Sequence, residues 1–182
     1  VTTVLSDDLQ GAYLITKYII ECGHRDIAII EGKQEFRSTT KRKQGFINAH
    51  RDAGLEFNEG YAVPGRYSIE SGYDAMVKIL TMEERPTAVF CSNDEMALGA
   101  MKAIKEREIL MPDEISIAGF DDMGFTGYLT PALTTVLRPI EEMSMESTQI
   151  LLNKIDQSEQ KELGIIHFNT QLVVRDSVRN LL

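Results

Sequence analysis

One stretch, Arg85-Pro86-Thr87-Ala88-Val89-Phe90-Cys91-Ser92-Asn93-Asp94, limits the folds open to this chain more than any other. A turn dipeptide leads into an unbroken apolar run of strand length. A run without alternation belongs in a parallel sheet covered on both faces. Glu95-Met96-Ala97-Leu98-Gly99-Ala100-Met101 follows at once with helical spacing. A strand that hands over directly to a helix is the repeating unit of such a sheet. The rim where strand carboxyl ends meet helix amino ends is where open α/β sheets bind ligands. Asn93 and Asp94 stand at that junction, and both also suit an ordinary helix cap.

The unit recurs along the chain. Ser6-Asp7-Asp8 caps a helix with apolar positions at Ala12, Leu14, Ile15, Tyr18, Ile19 and Cys22, which Gly23 ends. Ile27–Ile30 is a short buried strand. A polar loop over 33–40 precedes a helix from about Thr40 to Ala53. Tyr61–Val63 is a strand, 65–68 a rim loop and 69–82 a helix. The strand 87–91 and helix 94–107 follow, then a strand over 115–120. After Asp121-Asp122 the rhythm breaks into an irregular loop, 123–131. A β-rich segment, 133–137, and a helix, 142–155, come next. A polar turn at 157–161 leads to strands 165–168 and 171–174, read as a hairpin about Asn169-Thr170. A hairpin plus one helix is marginal alone. Residues after 131 are therefore expected to complete a second lobe whose main part precedes Val1. The expected class is α/β, an open parallel sheet with helices on both faces.

Charge and motifs narrow the function. With 19 Lys+Arg against 28 Asp+Glu the formal charge is −9, a poor surface for gripping nucleic acid. The three histidines are far apart, and Cys22 and Cys91 sit in apolar segments, so the pattern implies neither a metal centre nor a disulfide framework. Serine elbow, phosphate loop and dinucleotide turn are all missing. Asp121-Asp122 suits magnesium but lacks the second acidic cluster or lysine of a phosphotransfer site. No catalytic residue, no cofactor and no metal is expected, and no apolar run is long enough to span a membrane.

The rim loops carry a set suited to a polyhydroxylated ligand: Ser38, Arg42, Asn93 and Asp121, with the aromatic rings of Phe36 and Tyr67. Arginine donates in a rigid fork, aspartate accepts hydroxyl protons, asparagine does both, and a ring covers the apolar face of a sugar. Each has a plainer reading as well. Arg42 suits a helix surface, Tyr67 a core lid, and Asp121 an acceptor of loop amides. A rim position for Arg42 implies that Arg42→Ala leaves folding nearly intact. His24, just past Gly23, is read as a tether for that helix end.

Nine motifs in order then resemble the effector-binding core of the lactose/galactose repressor family. They are Ser6-Asp7-Asp8, Gly23-His24-Arg25-Asp26-Ile27-Ala28, Arg42-Lys43-Gln44-Gly45-Phe46, Glu70-Ser71-Gly72-Tyr73, Arg85-Pro86-Thr87-Ala88, Asn93 to Ala100, Pro112 to Asp122, Pro131 to Val136, and Leu172 to Val178. The resemblance implies a periplasmic-binding-protein-like fold of two lobes, with most of the N-terminal lobe absent. Residues 1–5 would be the crossover from that lobe, 6–130 the C-terminal lobe, and 131–182 the return and final crossing strands. It implies that Arg42, Ser38, Tyr67, Asn93 and Asp121 line the effector site, with Ile140 at the cleft edge and Asp94 as a cap. Phe120 departs from the tyrosine common at its place.

The resemblance further implies a small-molecule effector; family frequency and the polar set here put a sugar ahead of a purine, and the acidic neighbours Asp121 and Asp122 put a neutral sugar ahead of a sugar phosphate. It implies a homodimer with Leu98, Met101 and Phe125 at the interface, and operator DNA bound through a head domain outside this sequence. A cytoplasmic location and no membrane partner go with that reading. An exported sugar-binding protein serving transport is the alternative.

Overall fold

The computed structural model describes residues 2–156 and 164–182. Its centre is a four-stranded parallel sheet formed by β2 (Ile27–Glu31), β3 (Ala62–Pro64), β4 (Ala88–Cys91) and β5 (Ser116–Ala118), in the order β3-β2-β4-β5. β1 (Thr3–Ser6) lies apart from it. Every residue of β2 and β4 is buried, which explains why neither shows alternation. The two faces divide those residues by the strand period. Ile27, Ile29, Ala88 and Phe90 pack with α1 (Asp8–Glu21) and α2 (Arg37–Asp52) through Ile15, Ile19 and Phe46. Ala28, Ile30, Val89 and Cys91 pack with α3 (Ile69–Leu80) and α4 (Asp94–Lys105) through Met76, Ile79, Ala97 and Ile104.

Glycines set how closely the helices of each pair approach. A Cβ on Gly99 of α4 would fall 1.9 Å from the Ile69 carbonyl oxygen, and one on Gly45 of α2 would fall 2.2 Å from that of Leu9.

Beyond β5 the chain stays with the sheet for one more strand. β6 (Thr135–Leu137) is tied to it by Gly119 N–H donating to Thr134 O at 2.9 Å and Asp121 N–H to Val136 O at 2.8 Å. Leu133 and Val136 are fully buried, one in each core. Residues 133–137 thus pack with the main sheet. α5 (Ile140–Ile155) follows, and it buries no residue. Ile140, Met145, Leu151, Leu152 and Ile155 are exposed on it, so the tail has no closed core of its own.

The hairpin expected at 165–174 does not form. β7 (Ile165–Phe168) pairs parallel with β1, whereas β8 (Gln171–Val173) pairs antiparallel with β6. Asn169-Thr170 carries the chain from one small sheet to the other. The last residues then return to the main sheet. Ser177 Oγ donates to Ile117 O at 2.6 Å and Val178 is buried. The polar turn expected at 157–161 lies outside the described residues.

His24 has a larger role than closing α1. It is buried, with Nδ1 2.9 Å from Thr87 Oγ1 and Nε2 3.1 Å from Arg179 O. It joins β4's approach to the C-terminal segment. Burial pushes its pKa below the ordinary imidazole range.

Candidate functional site

The strand order reverses between β2 and β4, because β3 lies on one side of β2 and the later strands on the other. Crevices at such a reversal bind ligands, and Arg42 fills this one. Although it belongs to α2, its side chain is only 3% exposed. Nε and Nη2 donate to Asp8 Oδ1 at 2.8 and 2.7 Å, Nη1 donates to Ser92 O, and Nη2 lies 3.5 Å from Asp121 Oδ1. The guanidinium carbon sits 3.7 Å from the Phe120 ring centroid, a close cation–π contact. The rim position expected for Arg42 is corrected by these contacts: it is a buried hub. Asp8, its principal partner, was read only as part of a cap.

Tyr67 covers the same crevice. Its φ of 62° turns the backbone into the left-handed region. The ring passes over Gly32, where a Cβ would fall 1.9 Å from it, so only glycine admits the ring there. Its hydroxyl lies 2.8 Å from Thr39 Oγ1 and 3.3 Å from Ser38 Oγ. Phe36 stacks on it at 6.0 Å between centroids, and Arg42 lies 6.0 Å from its ring. α2 begins at Arg37, three residues earlier than expected, which places Ser38 and Thr39 in its first turn beside Tyr67.

At the end of β4 it is Asn93, not the expected Asp94, that caps α4, its Oδ1 accepting from Met96 N–H at 3.0 Å. Asp94 is fully buried and reaches elsewhere. Its Oδ1 accepts from the Thr135 hydroxyl at 2.6 Å and its Oδ2 from Met123 N–H at 2.8 Å. The capping demand of α4 is met by Asn93, which leaves Asp94 free to join α4, β6 and the loop that follows Asp121. Burial pushes its carboxyl up to about 7, against the pull of those two donors.

Asp121 (φ 115°) and Asp122 (φ 53°) hold strained backbone in that loop. Burial raises the Asp121 carboxyl, opposed by Arg42 and Arg138 beside it. Asp122 is spent on structure, accepting from Arg175 and from the Thr126 hydroxyl at 2.8 Å each. Among the described residues no group of three or more metal-ligating side chains occurs, and no helix is long and apolar enough to cross a membrane.

A cavity of about 470 Å³ opens beside Asp121, lined also by Asp122, Leu137, Arg138, Ile140 and Glu142. Ile140 thus lines the same cavity as Asp121. Of the expected interface residues, Leu98 and Phe125 are half-buried. Met101 is 6% exposed and packed into the core against α3's side of the sheet, which removes it from the surface. Helical period alone does not say which apolar face turns inward.

Residues 16–178 match the periplasmic binding protein-like domain family. The chain is 46% identical over 181 residues to the probable HTH-type transcriptional repressor ExuR of Bacillus subtilis (strain 168), covering 100% of this chain and 54% of that protein. It is 39% identical over 181 residues to the HTH-type transcriptional repressor PurR of Histophilus somni (strain 2336), covering 99% and 54%. The chain thus spans about half the length of these relatives. Among solved structures, the transcriptional regulator CelR in complex with cellobiose superposes with a TM-score of 0.91 at 31% identity, covering 97% of this chain and 54% of that one. A LacI family regulator from Enterococcus faecium with bound ribose superposes with a TM-score of 0.92 at 28% identity, covering 100% and 67%. Over nearly its whole length the chain is similar to LacI/PurR-type transcriptional repressors, and it belongs to the periplasmic binding protein-like domain family.

Proposed function

We propose that this chain supplies one complete lobe, and the crossing segments, of a two-lobed sensor that binds a small polyhydroxylated molecule and controls a DNA-binding head. The observation that carries the reading is the crevice at the strand reversal. A buried arginine, an asparagine amide and a carboxylate meet an aromatic lid there. Asn93 commits its oxygen to the cap, so its amide nitrogen is the group left to donate to a ligand hydroxyl. Asp121 accepts hydroxyl protons, and Tyr67 offers an apolar face. The relatives crystallised with cellobiose and ribose support a sugar as the ligand class. The uncovered apolar residues of α5 suit a missing lobe packed against α5 and the β1–β7 pair. On this reading the crossings lie near Ser6, Arg138 and Thr170. A ligand moves the head only if it binds one arrangement of the lobes more tightly than the other.

Calorimetry of the full-length protein against pentoses, hexoses, disaccharides and purines tests the assignment. A sugar should bind, and Asn93→Ala should weaken it by about tenfold, the loss of one buried hydrogen bond. Unchanged affinity in both Asn93→Ala and Asp121→Asn would place the ligand elsewhere.

We further propose a cytoplasmic two-fold dimer in which Leu98 and Phe125 meet a second copy. Leu98→Glu then buries an unpaired charge at the interface and should sediment as a monomer. A dimer unaffected by it removes Leu98 from the contact.

A further inference from the structure

We infer that Arg138 is a specificity-determining residue that selects effectors bearing an acidic group, a carboxylate ahead of a phosphate. This rests on the effector-binding reading above. Arg138 directly follows β6 on the segment leading into α5. Its backbone is held by its own N–H donating to Asp121 O at 3.4 Å and its carbonyl accepting from Ile140 N–H at 2.7 Å. Its side chain is not held in the same way. Nε lies 3.1 Å from Asp121 Oδ1 but does not aim at it, and is buried without a hydrogen-bond partner. The two terminal nitrogens make no hydrogen bond among the described residues.

The neighbouring arginines differ. Arg42 spends Nε, Nη1 and Nη2 on Asp8 and Ser92, and Arg175 spends Nη1 and Nη2 on Leu133 O and Asp122. Arg138 is therefore the guanidinium at this site whose fork is unspent. It lines the cavity beside Asp121 and also a second one of about 440 Å³. In the second, with Val4, Ile140, Met143, Ser144, Ser147 and Thr148, it is the one charged side chain among the described residues. The hydroxyls of Ser147 and Thr148 already donate to Met143 O and Ser144 O. The donors left to meet a ligand there are those of Arg138 and the Ser144 hydroxyl, and of these Arg138 alone carries charge.

A planar fork of N–H groups in a partly desolvated position matches a carboxylate in two parallel hydrogen bonds. A neutral hydroxyl uses less of it. Asp121, Glu141 and Glu142 line the adjoining cavity and repel a second negative charge, which favours the monoanionic carboxylate over the phosphate.

Calorimetry of the full-length protein with gluco, galacto and manno hexoses, each with its uronate and its 6-phosphate, tests this. A uronate should bind about tenfold or more tightly than its parent hexose, the increment of a charge-assisted pair. Arg138→Gln should abolish that preference, while Arg138→Lys, which keeps the charge without the fork, should retain part of it. A phosphate preferred over the uronate would keep the acidic selectivity and reassign the group. A parent hexose that binds as well as its acids, or a preference that survives Arg138→Gln, overturns the role of Arg138 and leaves the sugar reading standing. Silence from every sugar, neutral and acidic, overturns both.

Discussion

Replacing Arg42 with alanine should lower the unfolding free energy by about 3 kcal/mol, the scale for breaking a largely buried ion pair from one side. The cost arises because Asp8, 16% exposed, and Asp121, 12% exposed, lose the charge that faces them. The Ser92 carbonyl loses its donor, and the Phe120 ring loses the cation stacked on it. Urea unfolding of the variant measures the change. Adding Asp8→Ala should restore about 1 kcal/mol or more, since the stranded carboxylate is then gone. A loss below about 0.5 kcal/mol, typical of surface substitutions, would return Arg42 to the exposed rim. Effector affinity should fall together with stability, so a binding assay of Arg42→Ala does not separate contact from scaffolding, whereas Asn93→Asp, which keeps the capping oxygen and removes the amide donor, does.

Asp94→Asn should stabilise the protein at pH 8 by up to about 4 kcal/mol and give little gain at pH 4. The direction follows from proton uptake. An unfolded aspartate titrates near 3.9, while the folded state holds its proton up to about 7. Stability from this group is complete below about pH 4 and is lost as pH rises towards 7. Asparagine removes that loss without stranding its partners. Its oxygen accepts from Met123 N–H, and its amide donates to Thr135 Oγ, which turns its own hydrogen away. Urea midpoints of the two proteins at both pH values decide the matter. An equal difference at pH 4 and pH 8 would mean that Asp94 does not titrate in this range. His24 and His50, both pushed below the ordinary imidazole range by burial, act in the opposite sense and weaken the fold as pH falls below about 6.5. They are common to both proteins and cancel in the comparison.

The repeating strands and helices were legible because each is a local pattern. The apolar run Ala88–Cys91 reads as a doubly covered strand without knowledge of its neighbours, and the main sheet contains it as such. Pairing is not local. Asn169-Thr170 has the chemistry of a tight turn, yet β7 pairs with β1 near the other end of the chain and β8 with β6 on the far side of α5. The rim residues Ser38, Arg42, Tyr67, Asn93 and Asp121 were legible as a group because they follow strand ends. Their burial was not. Nothing in the spacing of Arg42 tells a helix surface from a crevice floor, and Asn93 and Asp94 are equal candidates for a cap until α4's orientation decides between them. Arg138 escaped notice because it lies past the change of rhythm, where no strand-to-helix repeat points to it. Its one signal was a lone basic residue between the β-rich run and Pro139-Ile140.

The arrangement at Arg138 also has a mechanical side. Its N–H holds the carbonyl of Asp121 while its carbonyl takes the first N–H of α5. The left-handed loop at the ligand crevice and the base of α5 are thus one bond apart on either side of a single residue. α5 has 16 residues, a rod of about 24 Å at the usual rise per residue. A tilt of about 5° at Pro139 therefore sweeps its far end through about 2 Å. On the proposed reading of Asp121 as an effector contact, a shift of a few tenths of an ångström there would be geared up several-fold along α5, with Pro139 as the pivot.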